Sequence, residues 1–240
     1  MPGQHQPPPH RHAPWRRPAL ALLLAAVAGT PARADPPLVS ETADVAAAGE
    51  CMLEVAADRL RARGRAPGSV QEVHGACGAG RRTELGLRLT RERAHPASWR
   101  LGADGKTRLG ETEDGSTRFA LAYAVAADRA DGDRWRHGGL RVNGVATRTL
   151  ARQLLAHVNL GWLRTENPRL HQATWSLGVE GEGALRWAAD VYGDDRARPW
   201  LSGGVVWPLH EQLAASLAYA RQFDAARQRQ WTLALRAEFR

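Results

Sequence analysis

The sequence predicts an all-β fold: a transmembrane antiparallel up-and-down β-barrel of about twelve strands, preceded by a cleaved signal peptide. Three observations predict it. The N-terminus carries an export pattern. The rest of the chain repeats short segments of alternating apolar and polar residues, each about the ~9–11 residues that a tilted strand needs to cross a bilayer. The last segment, "WTLALRAEFR", runs to the final residue, leaving an open strand edge unless another strand covers it. The chain divides accordingly into a signal peptide (1–34), an N-terminal periplasmic segment (35–48) and the barrel (49–240).

The export pattern consists of Arg11, Arg16 and Arg17, an apolar run over about 19–28, and the small-x-small triplet Ala32-Arg33-Ala34. The run is too short to span a bilayer, so cleavage after Ala34 is expected rather than a retained anchor. Cleavage also changes the charge. The formal net charge of +8 includes Arg11, Arg16, Arg17 and Arg33 with no acid among residues 1–34, so the mature chain carries +4. Most of the electrostatic case for nucleic acid disappears with the leader, and no nucleic-acid partner is expected. Beyond residue 34 no window approaches the ~18 consecutive apolar residues of a membrane helix.

The strands follow in order. "CMLEVAADR" sets Cys51, Leu53, Val55 and Ala57 on one face against Met52, Glu54, Ala56 and Asp58 on the other. A weaker strand lies at about 70–80. "TELGLRLTRE" alternates Leu85, Leu87 and Leu89 with Glu84, Gly86, Arg88 and Thr90, and "SWRLGADGKTRL" sets Trp99, Leu101, Ala103 and Leu109 opposite Arg100, Asp104, Lys106 and Arg108. "RFALAYAVAAD" lines up Phe119, Leu121, Tyr123 and Val125 against small Ala120, Ala122, Ala124 and Ala126. A second weaker strand falls at about 135–147. Then come "LLAHVNLGW", "ATWSLGVEG", "LRWAADVYG", "WLSGGVVW", "LAASLAYARQ" and the terminal strand.

Asp114-Gly115, Asp131-Gly132 and Asn167-Pro168 are turn formers between these runs, and every loop reads as short, with room for neither a large external domain nor a long plug. Two features cut across the scheme. Asp104-Gly105 has the chemistry of a tight hairpin turn, yet it falls inside one predicted strand. "TRTLARQLLAHV", with Leu150, Leu154 and Val158 at helical spacing, and "LHEQLAASLAYARQ", rich in helix formers, fit a soluble α+β alternative. Alternation runs through both stretches as well, and the barrel reading keeps them as strands.

An even strand number returns the C-terminus to the side of the N-terminus, so the last strand pairs with the first and closure removes both edges. The stretch "PPLVSETADVAAAGECMLEVAADR" and, further on, "VYGDDR" resemble a family of bacterial outer-membrane barrels described as transporters, which includes proteins linked to a meta-cleavage pathway of phenol degradation. The resemblance is clearest over residues 36–59. It implies an outer-membrane location, with membrane lipid and, during biogenesis, the barrel-assembly machinery as partners. It also implies transport of a small solute. The terminal "EFR" departs from the usual barrel signal, because Arg240 follows the aromatic Phe239.

Alternation assigns the charges to the lumen. Arg88, Arg100, Lys106, Arg108, Arg141 and Arg236 face Glu54, Asp58, Glu180, Asp190 and Glu238, and they line either a conducting path or a packed interior. No phosphate loop, zinc motif or dinucleotide fingerprint is present, and neither a cofactor, a metal nor an enzymatic activity is expected. The enzymatic alternative is a rim site made from Asp194 and Asp195 with His137 or Asp133. His157 and Asn159 share a face and invite comparison with lipolytic barrels, but no serine-centred motif accompanies them.

The two cysteines complete the reading. A hairpin centred on Gly64 has thirteen residues on either side, which sets Cys51 across from Cys77. Directly opposed Cβ atoms in an antiparallel pair stand about 4.5–5.5 Å apart, close to what a disulfide needs. Export to an oxidising compartment permits the bond, and a structural Cys51–Cys77 disulfide is expected.

Overall fold

The computed structural model describes residues 39–240 apart from 65, 94–96, 167, 184 and 224–227. The described residues form twelve strands in one closed antiparallel barrel. In chain order they are β1 (Cys51–Arg61), β2 (Gly68–Gly78), β3 (Thr83–Arg93), β4 (Ser98–Glu111), β5 (Thr117–Ala130), β6 (Arg136–Ala151), β7 (Leu154–Glu166), β8 (Arg169–Gly181), β9 (Arg186–Asp194), β10 (Trp200–His210), β11 (Leu213–Gln222) and β12 (Arg229–Phe239). Each pairs with its chain neighbours, and β12 pairs with β1 from Cys51↔Phe239 to Arg61↔Arg229. The strand at the C-terminus therefore has no free edge, and all its backbone donors on that side find partners in β1.

The period of two sorts the side chains into two surfaces. Leu87 is 65 % exposed, Leu160 66 % and Leu233 57 %, in a band that also holds Val55, Leu101, Leu121, Leu177, Leu201 and Leu235. Moving a side chain of this size out of water is worth roughly 1.5–3 kcal/mol. A contiguous girdle of them is thus an outer surface made for hydrocarbon. Towards the end remote from the termini this surface turns aromatic and basic: the Arg91 guanidinium lies 4.9 Å from the Trp99 ring centre, and Arg129 lies 5.1 Å from that of Trp135.

The opposite face of each strand points inward and is mostly polar or small. Buried side chains there include His74, Lys106, Asn143, Thr147, His157, Asn159, Ser176, Asp190 and Ser202, interspersed with alanines such as Ala120, Ala122 and Ala188. Among the described residues the buried apolar side chains gather in two small clusters, Ala43–Ala120–Ala122–Val145 and Val206–Ala214.

Connections are short, none exceeding the six residues of 62–67 or 223–228. In the β4–β5 turn Gly115 adopts φ 66°, a left-handed conformation that a side chain would strain. Beside it the Asp114 carboxylate accepts from the Thr112 hydroxyl (2.5 Å) and from the Ser116 amide and hydroxyl (3.0 and 2.9 Å). Those bonds, the Thr112 hydroxyl foremost, bring its pKa down to about 2. The predicted turn at Asn167 falls outside the described residues.

The two stretches with helical spacing are both hairpins. Residues 147–158 leave β6, turn at Arg152 and Gln153, and return as β7; residues 209–222 do the same from β10 into β11. Here cross-strand pairing overrides local propensity, as it can wherever a segment buries one face of a pleat. Asp104-Gly105, for its part, makes no turn. β4 runs through it unbroken, because Asp104 points inward to His74 (Nε2–Oδ2 3.1 Å) while Gly105 lies on the outer face under the Tyr123 ring, where a Cβ would come within 2.7 Å. In the first hairpin Cys51 stands opposite Cys77 and the two are joined by a disulfide, on the outer face at the end where the chain enters the barrel.

Candidate functional site

All eleven lumen candidates stand at inward positions, and the structure supplies their partners. Arg88 Nη1 reaches Glu72 Oε1 (2.5 Å), and Lys106 Nζ reaches Glu84 Oε1 (3.3 Å). Arg100 holds Asp128 through Nε (2.7 Å) and Nη2 (3.1 Å). Asp58 accepts from Thr232 Oγ1 (2.5 Å), and Glu54 stands directly across the β1–β12 seam from Arg236, itself 3.4 Å from Glu238. Glu180 Oε1 lies 3.5 Å from His157 Nε2. The wall is a network of opposite charges concentrated on β1–β6 and β12.

The remaining candidates lead to a group the sequence reading did not anticipate. Of the expected periplasmic segment 35–48, the described residues 39–48 run along inward side chains of the wall, which hold them. Asp190 of β9 accepts from the Val39 amide (2.8 Å), the Ser40 amide (3.0 Å) and the Ser40 hydroxyl (3.3 Å), and also from Ser202 of β10. Asn159 of β7 clasps Glu41 through both main-chain groups: the Glu41 amide donates to Oδ1 (2.6 Å) and Nδ2 donates to the Glu41 carbonyl (3.0 Å). The Ala43 amide donates to Thr147 Oγ1 of β6 (2.8 Å), and the Ala46 amide to Glu84 of β3 (2.8 Å). A single bridge, Ala48↔Gly78, brings the segment back to the sheet beside β1.

Two features of the wall make room for it. Inward alanines of β5 leave a trough in which Ala43 is fully buried. Glycines allow contact at both ends: a Cβ at Gly178 would come within 2.9 Å of the Ser40 side chain, and one at Gly78 within 2.1 Å of the Ala47 carbonyl oxygen. The segment's two central acids, meanwhile, meet arginines. Arg141 Nη2 lies 2.8 Å from Glu41 Oε1, to which Asn143 Nδ2 also donates (3.4 Å). Asp44 Oδ1 receives Arg108 Nη2 at 3.2 Å and Arg118 Nε at 3.1 Å. Thus two of the lumen candidates, Arg108 and Arg141, make their ion pairs with the segment.

His157 is 1 % exposed and accompanied not by a serine but by Thr147, whose Oγ1 is 3.0 Å from Nδ1. That hydroxyl also receives the Ala43 amide, so it serves as an anchor for the segment. Residues of the alternative rim site are engaged elsewhere. Asp194 caps its own turn through the Arg196 and Ala197 amides, Asp195 accepts from the Ala173 amide, Asp133 pairs with Arg136, and His137 lies 3.6 Å from Glu166. Among the described residues no group of three histidine, cysteine or acidic side chains is placed to hold a metal ion.

Glu41, Asp44, Arg118, Asn143 and Thr147 went unmarked in the sequence as lumen residues. For the last three the signal was present, since each sits at an inward register position of β5 or β6. The acids of the segment carry no such periodicity.

A family model described as Uncharacterised conserved protein UCP029691 matches residues 22–236. No curated protein matches the chain. Among solved structures the KdgM porin superimposes with a TM-score of 0.57 at 6 % identity, covering 78 % of this chain and 99 % of its own. The NanC porin does so with a TM-score of 0.55 at 6 % identity, covering 76 % and 98 %. At these identities the likeness is one of fold.

Proposed function

The chain belongs to the family described as Uncharacterised conserved protein UCP029691, and for this member we propose a passive channel or transporter for a small solute in the bacterial outer membrane. One observation carries the reading: a closed barrel whose outer face is a leucine-rich girdle and whose inner face holds buried polar and charged side chains. Such a wall suits lipid outside and water inside. The barrels it superimposes on are porins, and the resemblance of residues 36–59 to barrels of the phenol-degradation type points to transport as well. The protein works without chemistry of its own: the wall sets diameter and charge, and a solute crosses down its gradient.

Purified protein in planar bilayers tests this. Stepwise ohmic conductance is expected, with a preference for anions that falls when Arg100 and Arg108 are both replaced by glutamine. A second reading, a closed barrel stabilised by its internal charges, is favoured by the cross-strand pairs Glu72–Arg88, Glu84–Lys106 and Arg100–Asp128. Silence at all voltages would select it.

A further inference from the structure

The arginines Arg108, Arg118 and Arg141 come from three consecutive strands, β4, β5 and β6, and converge on the two acids of the segment. Neighbouring acids of the wall are already committed: Glu72 to Arg88, Asp104 to His74, Glu84 to Lys106 and Asp128 to Arg100. Among the described residues Glu41 and Asp44 are the acids in ion-pair contact with the three guanidinium groups, while Asp104 adds a longer-range attraction to Arg141. The segment that brings these acids is not a strand of the barrel. It is held by side-chain hydrogen bonds and one bridge, all of which water or another ligand can replace.

We infer that Arg108, Arg118 and Arg141, with Asn143, form a binding site for a linear solute bearing two carboxylates, and that Glu41 and Asp44 occupy this site as an internal competitor. Arg141 with Asn143 is one carboxylate clamp, and Arg108 with Arg118 is the other. Their occupants are three residues apart on one chain, with Cα atoms at most about 11 Å apart, so a fitting solute carries its carboxylates on a short linear spacer of that order. Guanidinium is suited to the role because it stays charged and offers several donors in a plane to a carboxylate. Displacing the segment without a replacement would leave three like charges facing one another across a confined space, a cost that an entering dicarboxylate offsets. Solute entry and segment release are then one exchange. The main-chain anchors on Asn159, Thr147 and Asp190 set how readily it occurs.

The inference rests on the reading of the lumen as a solute path, but its test does not need conduction. Binding of suberate to the full chain in detergent is measured by calorimetry, with octanoate as the single-carboxylate control. The variant E41Q/D44N, checked for the heat-modifiable mobility of a folded barrel, is expected to bind suberate at least tenfold more tightly than the unaltered protein and more tightly than octanoate. Adding R118Q should abolish the gain. Equal affinity of the two proteins, or no preference for suberate over octanoate, overturns the site. Should the variant fail to fold, hydrogen exchange on the unaltered protein decides: suberate is expected to accelerate exchange of the amides of Ser40, Glu41 and Ala43, and unchanged exchange at saturating suberate overturns the proposal. Suberate binding in a barrel that never conducts would remove the channel reading and leave the site. Conduction without suberate binding would do the reverse.

Discussion

Leu235 and Arg236 are adjacent in β12 and face opposite solvents. Leu235 is half exposed on the girdle, whereas the Arg236 side chain is turned inward beside Glu238. Leu235→Arg is expected to destabilise the barrel in lipid by roughly 2–4 kcal/mol, the range for an arginine near the bilayer midplane. Arg236→Leu, on the polar wall, should cost less. Equal losses in denaturant unfolding from lipid vesicles would mean that the faces are assigned wrongly. Gly178 tests the segment in the same way. A valine there places atoms where Ser40 now lies, so Gly178→Val is expected to speed amide exchange at Val39 and Ser40 while the strands keep their protection. Legibility at this scale was uneven. Alternation gave each of the eleven chosen charges an inward register position, because in a pleat a residue's address is its parity, while Arg118, with the same parity, was passed over. It could not pair Arg108 with Asp44 across 64 positions, since nothing in a chain outside the sheet fixes its register.

In the first hairpin, Gly64 and the two cysteines make the register legible in the sequence, and the Cys51↔Cys77 opposition extends unshifted to Leu60↔Gly68. Closing the loop between the cysteines restricts the unfolded chain, and removing that link costs about 3–4 kcal/mol on the chain-entropy account. Cys51→Ala with Cys77→Ala is therefore expected to lower stability by that order in denaturant titrations while leaving the barrel's circular dichroism unchanged. The β4–β5 turn makes a pH prediction. Asp114 has a pKa of about 2, below its usual 3.8, so its bonds stabilise the turn above pH 3.8 and that contribution is lost as pH falls through about 2. The Ser116 amide should accordingly stay protected down to about pH 3 and open below pH 2, and Asp114→Ala should remove the transition; a Ser116 amide equally labile at pH 5 would rule the turn's role out. What misled at the scale of elements was local chemistry without its neighbours. Asp104-Gly105 looks like a turn until His74 claims the carboxylate and Tyr123 covers the glycine. The stretch 147–158 looks like a helix until Arg152 and Gln153 reverse it.

For the whole molecule, closure through β12 and β1 lets the outer face be apolar without exposing a backbone edge. The inner face is polar enough to hold water, and narrow enough for ten residues of the chain's own N-terminal segment to be gripped from β3, β6, β7 and β9. The account stands or falls on the outer face being in lipid. Fractionation of cells making the full chain tests this most directly, by following the mature protein and its mobility in detergent gels with and without boiling. The account predicts that it is recovered in the outer membrane and migrates fast until boiled, as a closed barrel does. Recovery in the soluble periplasmic fraction, with one mobility under both conditions, would contradict it.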